Sequence, residues 1–139
     1  MGFVPSLAVD FGARRVGVAV SESDVLATPH SVIRNDGDVD RVVERVARIA
    51  SEVEAATIVL GIPRTRRAGA ARTEARYAAL AEKLRQRTRK DVILWDESLT
   101  TVEAAEKLRE AGRPDTAIDM YAAAVILQSW LDAQRGRQP

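Results

Sequence analysis

The pattern of apolar residues predicts an α/β fold, in which an antiparallel hairpin unit joins a short parallel section of sheet and helices cover the faces. Three observations carry this. Residues 15–21 alternate Val16, Val18 and Val20 with Gly17, Ala19 and Ser21, a period of two. The runs Ile58-Val59-Leu60-Gly61 and Val92-Ile93-Leu94-Trp95 are continuously apolar, as in strands buried on both faces of a parallel sheet. Stretches with helical spacing lie between and after these runs.

The first strand is Ser6-Leu7-Ala8-Val9-Asp10. A tight turn around Gly12-Ala13-Arg14 leads into the alternating strand 15–21, so the two form a hairpin. Gly17 leaves part of one strand face bare, where a ligand or another backbone can approach. A third strand falls within 26–34, and Pro29 places it at a sheet edge. Residues 38–54 have helical spacing through Val39, Val42, Val43, Val46, Ile49, Ala50 and Val53, with Asp36 or Asp38 as the cap. The strand 57–61 ends at Gly61 and Pro63, and a basic loop over 64–70 follows. A second helix spans about Ala71 to Gln86, with Ala75, Ala78, Ala79, Leu80 and Leu84 expected on one side. After the strand 91–95 comes a helix from about Thr101 to Ala111. Thr100 and Glu103 have capping-box spacing there, and Gly112 and Pro114 stop the helix. The last helix covers roughly 116–133, and residues 135–139 are expected to fray. With 139 residues and neither repeat nor linker, residues 1–139 read as a single domain.

Composition narrows the function. Apolar residues make up 46% and aromatics 4%, so the core is aliphatic. The absence of cysteine excludes disulfides, zinc–thiolate sites and cysteine nucleophiles. It also suits a reducing cytoplasm. The N-terminal Met1-Gly2-Phe3-Val4-Pro5 has neither a basic n-region nor a long apolar segment, so no signal peptide or membrane span is expected. The net charge is only +1, but it is unevenly placed. From Arg64 to Lys90 there are ten basic residues against two acidic ones, while acids concentrate at 36–54 and 96–119. A basic flank beside an acidic pocket suits a polyanion held while metal ions are clasped.

Three acidic positions have settings that fit such a pocket. Asp10 ends a buried strand, where ligands of α/β sheets bind; it also reads as a simple turn residue. Asp96-Glu97 ends another strand; acids there also suit the dipole of the following helix. Asp119 opens the last helix, and Thr116-x-x-Asp119 resembles a capping box. The small Ala122, Ala123 and Ala124 beyond it would let that helix lie close to the sheet and bring Asp119 near the strand ends. Mg²⁺ is a hard cation held by a few carboxylates, waters and substrate phosphates. In two-ion sites the metals lie about 3.5–4 Å apart. Carboxylates so close would repel one another without a cation. Arg64, Arg66, Arg67, Arg72 and Arg76, with Arg14 and Arg15 at the hairpin, are the candidates for phosphate contact; a solvated helix face is the plainer reading. His30, the only histidine, reads as structural. No nucleophile elbow or Walker pattern is present.

Four segments in order, Leu7–Ala19, Ile58–Pro63, Asp96–Ala104 and Ile118–Gln128, resemble the YqgF/RuvX family of RNase H-like nucleases, which are Holliday-junction-resolvase-like proteins also linked to pre-16S rRNA. The resemblance spans about residues 6–133. It implies an RNase H-like mixed sheet with helices on both faces. It also implies phosphodiester hydrolysis with two Mg²⁺ or Mn²⁺ ions, held by Asp10, Glu97 and Asp119 with Asp96 as a less secure fourth. Ser98 stands where the family usually has Arg, and Arg66-Arg67-Ala68-Gly69 replaces a loop that often carries an acid before Gly.

The expected function is therefore a cytoplasmic endonuclease acting on structured nucleic acid. Its substrate would be Holliday-junction DNA, as in recombination, or the 5′ end of precursor 16S rRNA, as in ribosome biogenesis. Symmetric junction cutting would require a homodimer. The rival readings are a non-catalytic nucleic-acid-binding ribosome-biogenesis factor on the same fold, and an actin-like ATP-binding protein suggested by the Gly12–Gly17 hairpin. The second is short of a clamp-forming second domain.

Overall fold

A computed structural model describes residues 4–63, 70–97 and 99–136, without the side chains of residues 70 and 99–102. The chain runs β1 (Ser6–Phe11), β2 (Arg15–Ser21), β3 (Thr28–Arg34), α1 (Val39–Glu52), β4 (Thr57–Ile62), α2 (Ala70–Thr88), β5 (Asp91–Asp96), α3 (Leu99–Glu110) and α4 (Asp115–Gly136). The strands form one sheet in the order β3-β2-β1-β4-β5. β1, β2 and β3 pair antiparallel, while β1, β4 and β5 pair parallel. The α/β class and mixed sheet expected from the sequence are the ones observed.

Strand parity divides the core. Leu7, Val9, Val16, Val18, Val20, Ile58 and Leu60 face α1 and α2. Ala8, Ala19 and Val59 face α4, against Ala123, Ala124, Ile126 and Leu127. The second face is built from small residues, so α4 lies close to the sheet. The extreme cases are Gly17 and Gly61. A Cβ on Gly17 would stand 2.1 Å from the backbone oxygen of Asp119, and one on Gly61 would stand 2.6 Å from Ile126 Cδ1. The bare strand face foreseen at Gly17 is thus filled by the backbone of α4.

β3 is an edge strand, as Pro29 suggested, and its register jumps between the Val18–Ser31 and Ala19–Pro29 pairs. His30 is the extra residue of this bulge; it is exposed, and its Nδ1 lies 2.9 Å from Ser31 Oγ. Bulges and prolines disfavour pairing of an open edge with another chain. Among the described residues, no helix is long and apolar enough to cross a membrane.

One open alternative is decided and three local expectations change. Asp38, rather than Asp36, caps α1, accepting from Arg41 N. On α2, Leu80 and Leu84 are buried as foreseen, but Ala75, Ala78 and Ala79 are exposed and Tyr77 and Ala81 take their place. Tyr77, Leu80, Ala81 and Leu84 follow the i, i+3, i+4, i+7 stripe that a core-facing helix needs. Thr100 lies inside α3, which starts at Leu99, rather than ahead of it as a cap would; the preceding Ser98 is outside the described residues. The C-terminal stop of α3 is as expected. Gly112 at φ +77° lets its own N–H and that of Arg113 close on Arg109 and Leu108 carbonyls. Finally, α4 continues through Arg135 and Gly136, two residues into the stretch expected to fray, with 137–139 outside the described residues.

Candidate active site

The C-terminal ends of β1, β4 and β5 lie along one edge of the sheet, because those strands are parallel. Asp10 stands at that edge on β1, paired in register with Gly17. It follows Ala8 by two, so its side chain is on the α4 face. Glu97 directly follows β5, and its N–H donates to Ile62 O at 2.7 Å, extending the ladder past the end of β4. Trp95 packs with the α4 cluster and Leu94 with the α1/α2 cluster. By the two-residue alternation of a strand, Glu97 shares the face of Asp10, while Asp96 points to the other face and is exposed. Two strand spacings separate β1 from β5, roughly 10 Å. The longer Glu side chain helps to close that span.

Asp119 comes from the second turn of α4. That helix begins at Asp115, with Ile118 N donating to Pro114 O at 3.1 Å. Thr116 is therefore already inside the helix, and the Thr116–Asp119 capping box does not form. The side chain of Asp119 is instead held by Arg15, whose Nε donates to Oδ2 at 2.6 Å. A second arm of Arg15 lies 3.7 Å from Asp115 Oδ2.

Electrostatics join the three acids. The Asp10 carboxyl is pushed from 3.8 up to about 7, first by burial and then by the charges of Glu97 and Asp119. Burial also raises Glu97. A buried carboxyl that keeps its proton near neutrality beside two other acids is a site where a cation relieves a cost. Among the described residues, no three His, Asp or Glu side chains stand close enough to hold one metal ion together. The Asp119 carboxylate is turned toward the Arg15 guanidinium. The donor set is right in kind for a hard divalent cation, with Asp119 bonded to Arg15 in this structure.

That arrangement makes an expectation about Arg15. The variant Arg15→Gln should bind Mn²⁺ several-fold more tightly than wild type, because Asp119 is freed and one positive charge is gone. Equal or weaker Mn²⁺ binding, measured by titration at pH 8, would contradict the pairing described here.

The basic residues divide. Arg72 and Arg76 are exposed on the first half of α2, with no ion pair among the described residues. Arg14 is exposed in the hairpin turn. Arg64, Arg66 and Arg67 lie outside the described residues. Three further basic residues of the flank are engaged: Lys83 with Asp40 at 2.8 Å, Arg87 with Glu44, and Arg85 with Glu82 at 3.5 Å. Two residues escaped the sequence reading. Tyr77 donates its hydroxyl to Phe11 O at 3.2 Å, and burial followed by the Asp10 and Glu97 charges pushes that hydroxyl up. Asn35 ties down the turn, donating to Gly12 O at 2.8 Å. Tyr77 was detectable as part of the helical stripe with Leu80 and Leu84; Asn35 carried no such signal.

The sequence profile of the family described as "RuvX: Holliday junction resolvase" matches residues 5–133. The chain belongs to the RuvX family. A relative from Mycobacterium sp. (strain KMS), named "Putative pre-16S rRNA nuclease", is 44% identical over 137 residues, covering 93% of this chain and 80% of the relative. RuvX membership makes this chain a nuclease by class. Among solved structures, it is similar to Thermus thermophilus RuvC in complex with a Holliday junction substrate (TM-score 0.63, 15% identity, 96% of this chain and 97% of that one). It is also similar to the fowlpox virus resolvase in complex with Holliday junction DNA (TM-score 0.58, 10% identity, 94% and 99%). At such identities the likeness establishes the RNase H-like fold of the RuvX chain and nothing about its substrate.

Proposed function

We propose that this RuvX protein is a divalent-metal-dependent endonuclease that cuts structured nucleic acid at the Asp10, Glu97 and Asp119 cluster. The observation that carries the reading is the buried Asp10 carboxyl at a sheet edge, held protonated to about pH 7 by its surroundings and by two further acids. Mg²⁺ or Mn²⁺ would be held by Asp10, Glu97 and Asp119. Bound as a pair, such ions supply an activated water and charge neutralisation on the leaving oxygen.

The chain's own residues do the rest. Asp10 gives up its proton when the site is loaded. Arg15, once parted from Asp119, is placed to meet a phosphate oxygen beside the cluster. Arg72, Arg76 and Arg14 hold the flanking backbone, contacts that position a strand without reading its sequence. Shape-selective cutting follows from that division.

We favour the 5′ end of precursor 16S rRNA as substrate, supported by the name carried by relatives at 44% identity. Four-way junction DNA is the second reading, supported by the family description; it needs two active sites and hence a homodimer. Purified protein should be offered precursor rRNA, four-way junction DNA and single-stranded DNA with Mg²⁺ or Mn²⁺, beside Asp10→Asn. Cleavage of rRNA by a monomer supports the first reading, and paired nicks by a dimer support the second. No metal-dependent cleavage of any of the three, or cleavage undiminished in Asp10→Asn, would sink the proposal and favour a non-catalytic binding factor.

A further inference from the structure

The cleft beside the carboxylates has no assigned role. It has a volume of about 790 Å³ and lies between the β1–β2 turn, the start of α1 and the middle of α2. Its apolar wall is made by Phe11, Val39, Tyr77, Ala79 and Leu80. Arg76 and the Lys83–Asp40 pair stand at its rim. The cleft is on the α1/α2 side of the sheet, and one side chain links it to the end of β1 that carries Asp10. The Tyr77 ring lines it, while the Tyr77 hydroxyl reaches over the end of β1 to Phe11 O, within the fields of Asp10 and Glu97. Phe11, which lines the cleft, directly follows Asp10, so a strand bound at the carboxylates has the cleft around the end of β1, on the α1/α2 side of the sheet.

We propose that the cleft takes one unpaired nucleobase of the substrate, adjacent to the cut phosphodiester, with Arg76 on its phosphate. Three features fit that occupant. The volume is ample for a single base, since small-ligand pockets begin at about 300 Å³. An aromatic face with aliphatic neighbours binds any base by stacking, worth about 1–3 kcal/mol. A guanidinium with no ion pair among the described residues meets the phosphate that a nucleotide brings with it. A paired base cannot enter without leaving its stack, so the cleft would direct cutting to unpaired segments, ends or branch points. This inference rests on the nuclease reading and names how that site selects its substrate.

The test uses the full chain and whichever oligonucleotide of the cleavage panel it cuts. 2-Aminopurine replaces each base flanking the cut site in turn, and binding is followed by fluorescence in Ca²⁺ to hold cleavage back. One flanking position should be quenched several-fold on binding, and the others should not. Ala79→Trp, which fills the cleft from an exposed helix position, should abolish the quench and slow cleavage about tenfold while leaving the melting temperature and Mn²⁺ binding unchanged. Tyr77→Phe should keep the quench and Tyr77→Leu should lose it. Cleavage that proceeds with no quenched position, or a quench that survives Ala79→Trp, would overturn the cleft proposal alone. Absence of cleavage on every substrate would instead remove the nuclease reading beneath it.

Discussion

Asp10→Asn should abolish metal-dependent cleavage and yet melt at a higher temperature than wild type at pH 8 in metal-free buffer. Both effects come from one group. The carboxyl sits at about 7 in the folded chain against 3.8 without its surroundings. Below about pH 4 it is protonated in both states and costs nothing. Between about pH 4 and 7 the unfolded chain releases a proton that the folded chain keeps, so stability falls as pH rises. Above about pH 7 the loss is complete. Each tenfold change in proton affinity corresponds to about 1.4 kcal/mol, which puts the cost on the order of 4 kcal/mol at most. Asn carries no charge at any pH, so its advantage should shrink steadily from pH 8 toward pH 4. Mn²⁺ should raise the melting temperature of wild type and not of Asp10→Asn. The loss of cleavage should be at least about 100-fold, since losing even an outer partner of a metal ligand costs up to that much. A variant that melts below wild type at pH 8 would contradict the burial and repulsion described for Asp10.

Gly17→Ala should be the most damaging single methyl in the sheet. Its Cβ would meet the Asp119 carbonyl oxygen at 2.1 Å and the carbonyl carbon at 2.7 Å, both backbone atoms that cannot rotate away. α4 would have to lift from β2, and Asp119 would move with it. Overpacking of this kind costs about 1–3 kcal/mol or more, a drop of roughly 5–10 °C for a chain of this size. Gly61→Ala is the control. Its Cβ meets the Cδ1 tip of Ile126 at 2.6 Å, with Cγ1 and Cγ2 of the same side chain at 3.4 Å, and a side-chain tip can turn aside. Thermal melts of the two variants should show Gly17→Ala well below Gly61→Ala, with cleavage lost in the first and largely kept in the second. Equal melting temperatures would contradict the close seating of α4.

Much of this was readable from the chain because the relevant physics is local. The period of two over 15–21 marked β2, the small residues Ala122, Ala123 and Ala124 marked a helix lying close to the sheet, and Gly17 marked a strand face open to another backbone or a ligand. The structure has that contact in place. Strand parity also carried more than was drawn from it: Glu97 shares the parity of Trp95, and Asp96 that of Leu94, which separates the two acids once the faces are known. What could not be read depends on partners distant in sequence. The cap reading of Asp119 competed with a tertiary one, and only the start of α4 at Asp115 and the Arg15 bond decide between them. The basic flank looked uniform, yet Lys83 and Arg87 are taken by Asp40 and Glu44 of α1, some forty positions earlier. The alanines of α2 misled because alanine suits exposed and buried helix faces equally.

The central claim is that Asp10, Glu97 and Asp119 act together as the seat of a divalent metal. Mn²⁺ binding followed by electron paramagnetic resonance at pH 8, without nucleic acid, tests it most directly. Wild type should bind, and Asp10→Asn, Glu97→Gln and Asp119→Asn should each weaken that binding by about tenfold or more. Wild type that binds no Mn²⁺, or three variants that bind it as wild type does, would contradict the account.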